Sequence, residues 1–479
     1  MSRRHLVGVA LATVMLTASC STTVQGNPVS VFDDPFRVAG LPATDGETGL
    51  RPDAEPPSRD VTDTDGSDID ELAASSVSDI EDFWDSVFQE MFGQKFLPVD
   101  ELISWDANGF DGRFCGEDTY GLVNAGFCPI DDTIGWDRGV LLPSLRDAHG
   151  DMAVTMVLAH EYGHSIQRQG GLIKRNTPTL VSEQQADCLT GVYMRWVAEG
   201  NSPRFTLSTG DGLNNLLAAM ISFRDPLLTE SDVEAGADEH GSAFERISAF
   251  QFGFTDGASS CAAIDLKEIA QRRGDLPVLL PEDQTGELPV TEESVRAIVD
   301  AMQILFEPAD PPRLSFEADT ADDCPDARPS PPASYCPATN TIVVDLPELE
   351  LMGAQSDPSE GGGLATGDNS AYSVLVSRYT LALQHQRGGM ALDTAEAALR
   401  TACLSGVATV KLTNNVTTPD GNTIALTAGD VDEAISGILT NGLVASDVNG
   451  ESVPSGFSRI DAFRVGVLGD MDRCFKRFP

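Results

Sequence analysis

Apolar positions along this chain gather into stretches of helical spacing separated by long polar intervals. In DIEDFWDSVFQEMF, from Asp79 to Phe92, they recur on one helical face, so ordered structure is expected to begin close by. LAHEYGHSIQRQGG at 158–171 and LVSRYTLALQHQRG at 375–388 interleave apolar and polar positions in the same way, which predicts two further helices. Residues 21–75 behave differently. They carry many Asp, Pro, Gly and Thr residues with few periodic apolar positions, as in ATDGETGLRPDAEPPSRDVTDTDGSD, and predict a disordered acidic tether. RRGDLPVLLPEDQTGELPV, at 272–290, predicts a linker, placed at 273–287.

The two helical stretches belong to longer runs that can be laid over each other. GDMAVTMVLAHEYGHSIQRQGG, from Gly150, pairs without a gap with the run from Gly367, keeping a Gly, an Asp, a Val, a Leu, a Tyr and two Gln in place. ADCLTGV, from Ala186, pairs with TACLSGV, and SAFERISAFQFG, from Ser242, with SGFSRIDAFRVG. CPIDDTIGWD, from Cys128, pairs with CPATNTIVVD, from Cys336. Order and spacing are kept throughout, so the sequence predicts one helix-rich α+β domain repeated in tandem, at 76–272 and 288–479. A length of 479 residues suits two domains and a tail, and two separate cores are the expectation.

The net charge of -43 opposes the phosphate contacts on which nucleic-acid affinity depends, so no nucleic-acid partner is expected. At the start, Arg3 and Arg4 precede an apolar run from Leu6 to Leu16 and small residues before Cys20. That run falls short of the roughly 20 apolar residues that span a bilayer, and it predicts an export signal at 1–20. LTASC resembles a bacterial lipobox, with Thr17 where an aliphatic residue is usual. The resemblance implies lipidation of Cys20 and a membrane anchor on the outer face of the cell membrane; the alternative is plain secretion. Eight further cysteines in an exported chain point to disulfides. Eight cysteines allow 105 pairings, but the repeat favours Cys115 with Cys128 and Cys188 with Cys261, echoed by Cys324 with Cys336 and Cys403 with Cys474.

The chemistry lies in HEYGH. His160 and His164, four apart, share a helical face and can reach one ion, with Glu161 beside a metal-activated water. In SEQQADC, Glu183 can supply a third ligand, and Asp187, on the same face, can fix the tautomer of a ligand histidine. Three protein ligands leave a position open, which is the pattern of a catalytic zinc site. HEYGH followed by EQQAD resembles the gluzincin metallopeptidases. The wider run, with CPIDDTIGWD before it and HGSAFERISAFQFGF after it, resembles the bacterial putative neutral zinc metallopeptidase family over about residues 80–265. The resemblance implies a zincin-like fold, Zn2+ as cofactor, a peptide or protein substrate, and hydrolysis with Glu161 as general base. His240, in DEHGSAF, is the candidate donor to a developing oxyanion.

The repeat acts as an internal control. Ser377, Arg378 and Leu381 stand opposite His160, Glu161 and His164, while Ala398, Ala402 and Val453 stand opposite Glu183, Asp187 and His240. Arg246 and Asp211 persist as Arg459 and Asp430, so they are expected to be structural, Asp211 as a helix cap. The reading is a membrane-tethered extracytoplasmic zinc peptidase with a degenerate, metal-less second domain. The alternatives are a non-catalytic binding or scaffold lipoprotein that keeps the fold, and a metal-dependent amidase acting on cell-wall peptides.

Overall fold

The computed structural model describes residues 34–109, 112–234, 240–282, 284–355 and 364–479. The predicted export signal and Cys20 lie outside them. No helix among the described residues is long and apolar enough to cross a membrane.

Helices dominate, with small sheets beside them, so the fold is α+β. In the N-terminal half, Glu101–Trp105 runs parallel to Thr133–Asp137, and Ala125–Cys128 closes the other side antiparallel. The HEYGH helix, Asp151–Gly170, comes after this sheet, then helices Thr179–Ala198, Asp211–Ser222 and Ala243–Asp256. In the C-terminal half, Arg313–Ser315 runs parallel to Thr341–Val344, which pairs antiparallel with Ala333–Cys336. Helices Asp368–Arg387, Ala395–Lys411, Asp430–Thr440 and Gly456–Val467 then come in the same order.

Glycine sets the closest helix approach in each half. A side chain on Gly253 would strike the carbonyl of Cys188, and one on Gly191 the carbonyl of Phe250. Gly466 and Gly406 stand in the same relation to Cys403 and Phe463. Just beyond the second helix of each pair lies a short helix whose cysteine bonds back to the first: Cys188–Cys261 and Cys403–Cys474 are disulfides, as are Cys115–Cys128 and Cys324–Cys336. All four are the pairs favoured by the sequence.

Two expectations need correction. The halves do not have separate cores: one continuous apolar cluster runs from Val38 to Phe478. Helices of the two halves pack directly on each other, with Phe254 and Phe457 ring centroids 5.1 Å apart. Asp432 of the C-terminal half accepts hydrogen bonds from Ala243 N and Phe244 N, capping a helix of the N-terminal half at 3.0 and 3.1 Å. Such contacts are polar and long-range, and leave no periodic trace in the sequence.

The second correction concerns the tether. Its described part, from residue 34 onward, is built into the N-terminal half, and the first long helix, Asp68–Phe92, starts ahead of the boundary set at residue 76. Gly49–Leu50 pairs antiparallel with Phe205–Thr206, and Thr62 bridges Ile103. Arg59 pairs with Glu81 and donates to Val99 O at 2.8 Å, while Tyr162 of the HEYGH helix donates to the same Glu81 at 2.9 Å. The linker is likewise engaged, since Leu279–Leu280 pairs in parallel with Leu228–Thr229.

Removing Arg59 strands a buried carboxylate, whereas a residue in a loose tether would matter little. Arg59→Ala is therefore expected to lower the unfolding free energy by about 3 kcal/mol in urea titrations. A change below about 0.5 kcal/mol, the size of an ordinary surface substitution, would restore the tether reading for this segment.

Candidate metal centre

The HEYGH helix keeps its regular turn through the motif, so His160 and His164 project from one face with ring centroids 5.1 Å apart. The Thr179–Ala198 helix packs against it and presents Glu183 to both rings. Glu183 Oε2 lies 3.0 Å from His160 Nε2 and 3.5 Å from His164 Nε2. One donor atom each from His160, His164 and Glu183 falls within a 4.8 Å span. Two imidazole nitrogens and a carboxylate oxygen suit zinc, and the partners of the far ring nitrogens leave both Nε2 atoms facing the centre.

Those partners are specific. His160 Nδ1–H donates to Asp187 Oδ1 at 2.8 Å, which fixes the tautomer and holds the ring plane. Asp187 is fully buried and receives two bonds from Arg246, Nε to Oδ2 and Nη2 to Oδ1, each 2.9 Å. The third arm of Arg246 donates to Phe223 O at 2.6 Å. Burial opposes ionisation of Asp187, but the Arg246 guanidinium and His160 outweigh it and hold the carboxyl at about 2. Burial also works against charge on His160, yet Asp187 and Glu183 prevail and push the protein-only imidazole up to about 10. The pocket is thus built to stabilise positive charge, which a divalent cation would supply.

The remaining sequence candidates also gather here. Glu161 accepts from Phe127 N at 3.0 Å, so the edge strand Ala125–Cys128 holds its carboxylate. His240, 40% exposed, places Nε2 3.9 Å from Glu183 Oε2, and its Nδ1 lies 3.1 Å from Asp225 Oδ1. Asp225 also accepts from the backbone N of Gly241 at 2.8 Å, fixing the segment that carries His240.

Asp211, expected as a helix cap, is the first residue of its helix; its carboxylate accepts from Gly212 N at 2.9 Å and from Ser208 Oγ at 2.5 Å. Arg246 is paired, as expected of a structural arginine, but its partner is the carboxylate that orients His160. Sequence reasoning missed Gln167 and Asp225. Gln167 Oε1 faces His164 Nδ1 at 3.1 Å and also accepts from Ser182 Oγ, locking the two metal helices together. Its only trace in the sequence is that Gln384 stands opposite it. Asp225 sits in no motif, and nothing in the sequence singled it out.

Residues 34–264 match the family described as putative neutral zinc metallopeptidase. Over those residues, just under half of its length, this chain is similar to that family. The match reaches back to residue 34, in keeping with the folded N-terminal segment. The chain is similar to Uncharacterized protein YpfJ of Escherichia coli, 28% identical over 195 residues, 37% of this chain and 64% of that protein. It is also similar to Uncharacterized protein Rv2575 of Mycobacterium tuberculosis, 27% identical over 169 residues, 31% of this chain and 57% of the relative. The chain therefore spans less than two thirds of the length of these relatives. No solved structure matches it.

Asp187, bonded to His160 Nδ1, would position that ring at a zinc ion held by His160, His164 and Glu183. Asp187→Asn is expected to weaken zinc binding about 10- to 100-fold in competition with a chromophoric chelator. Unchanged affinity in a folded variant would mean that the Arg246–Asp187–His160 chain does not position the ligand.

Proposed function

We propose that this chain is an exported, membrane-tethered zinc-dependent peptidase whose active site is confined to the N-terminal half. The convergence of His160, His164 and Glu183 beside Glu161 is the observation that carries this reading. Zinc at these residues supplies Lewis-acid activation of a water and of the scissile carbonyl. Glu161 takes up the proton of the attacking water on its carboxylate and returns it to the leaving amine. Phe127 N–H holds the Glu161 carboxylate in place. His240, steadied by Asp225, is placed to donate from Nε2 to a developing oxyanion. The edge strand beside Glu161 offers an extended peptide a pairing partner.

On this reading the C-terminal half is a non-catalytic copy of the same fold, and Cys20 carries the anchor. Two features support the copy. Its sheet and helices run in the same order and direction, and its disulfides fall at equivalent positions. Where the N-terminal half has Glu161, it has Arg378, fully buried and bonded to Ser446 Oγ at 3.0 Å and Leu443 O at 3.2 Å. That packing leaves no room for a metal-bound substrate at the equivalent helix.

Digestion of an unbiased peptide library by the purified protein tests the reading. Cleavage should stop with a zinc chelator and return with zinc. Glu161→Gln should cut it by at least about 100-fold with zinc retained. Full activity of Glu161→Gln would overturn the mechanism; no cleavage of any peptide by the zinc-loaded protein would favour a binding lipoprotein instead.

A further inference from the structure

A second cluster of ionisable groups lies in the C-terminal half, apart from the zinc centre. One carboxylate oxygen each from Glu287, Asp368 and Glu433 falls within a 4.8 Å span. Asp368 and Glu433 are only 6% and 7% exposed, and Asp430, at 8%, adjoins them. The charges that act most strongly on these buried groups are the neighbouring carboxylates. Burial, reinforced by that repulsion, pushes Asp368 up to about 6, Asp430 up to about 8 and Glu433 up to about 9.

Helix capping accounts for part of this arrangement. The cluster sits at the start of the Asp368–Arg387 helix, where Glu287 Oε2 accepts from Asp368 N at 3.1 Å and Glu433 Oε2 from Asn369 N at 2.8 Å. Asp430 is engaged by Thr427, through its backbone N and its hydroxyl. One helix end offers only about half a positive charge, too little for three converging carboxylates.

Three observations go beyond capping. Asp368 Oδ1 is buried and has no hydrogen-bond partner. Gly367, directly before it, has extended backbone at φ -177, so the backbone does not demand glycine there. A side chain on Gly367 would strike Oε1 of both Glu433 and Glu287, so its absence leaves an open cradle between those oxygens.

The third observation is the contrast with the N-terminal half. Asp151 opens the HEYGH helix as Asp368 opens its helix, and the Oδ2 atoms accept from Leu50 N and Leu288 N respectively. Asp151 Oδ1, however, receives Arg146 Nε at 2.9 Å. Asp368 Oδ1 has no such donor. In place of an arginine, Asp368 has Glu287 and Glu433 beside it.

We propose that Glu287, Asp368 and Glu433 form a binding site for a hard divalent cation, calcium by its all-oxygen donor set, cradled against Gly367. The ion takes the electrostatic place that Arg146 fills in the other half. It ties the chain leading into the Glu292–Phe306 helix to the starts of helices Asp368–Arg387 and Asp430–Thr440. Glu287 and Asp368 line a cavity of about 560 Å³, through which a cation can enter. This function is structural and independent of hydrolysis.

The test uses the full chain, loaded with zinc so that the first site is filled, then stripped of calcium. Terbium is the luminescent probe, with Tyr372, which lines the same cavity, as its sensitiser. Terbium emission should rise and be displaced by calcium, with half-displacement at or below about 1 mM. Saturating calcium should raise the unfolding midpoint by at least about 3 °C. Gly367→Ala, which keeps every carboxylate, and Glu433→Gln should each weaken calcium binding at least about tenfold with zinc content unchanged. If either variant fails to fold, the other variant and the wild-type titration still decide. Absence of any calcium response below about 10 mM, or undiminished binding in the folded variants, would overturn the proposal.

Discussion

Everything at the metal centre hangs on one buried carboxylate. Asp187 is fully enclosed, and its charge is sustained by Arg246 on one side and the His160 ring on the other. Three helices meet through this chain of bonds: Ala243–Asp256 carries the guanidinium, Thr179–Ala198 the carboxylate and Asp151–Gly170 the imidazole. A buried charge is tolerated only when paired, so the helices are held in the register that the ligands need. The ion pair thus turns a packing constraint into a coordination geometry.

The C-terminal half shows the effect of removing the middle of that chain of bonds. Arg459 stands where Arg246 does, but Ala402 and Ser377 replace the carboxylate and the imidazole. Its Nε is buried without a partner, and burial lowers the guanidinium to about 10. It keeps one bond, to Leu439 O at 3.0 Å, which parallels the bond from Arg246 to Phe223 O. The two halves share packing and disulfides but not the candidate ligands. In both halves a helix pair meets by glycine-mediated approach and a disulfide ties its first helix to the short helix that follows, and neither depends on a metal.

The sequence exposed what is periodic or spaced by covalent geometry. Helical positions of His160, His164, Glu183 and Asp187 arise from a repeat near four residues, and repetition of the cysteine pattern singled out the four disulfides. It concealed what rests on single long-range polar contacts. Arg59 meets Glu81 and Val99 from a stretch whose composition reads as disordered. Asp432 caps a helix nearly two hundred residues earlier in the chain, so two halves that read as separate cores form one. Arg246 reads as structural because both halves keep it, and Gln167, kept as Gln384, stands in no motif. In the N-terminal half Gln167 faces His164, and Arg246 holds the carboxylate that bonds His160.

X-ray absorption at the zinc edge tests the central claim most directly, because it reads the ligand atoms themselves. The expected result is one zinc per chain, bound by two imidazole nitrogens and oxygen at about 2.0–2.1 Å, with the zinc lost when His160 and His164 are replaced by alanine. Sulfur scattering at about 2.3 Å, or zinc retained by the double variant, would contradict it.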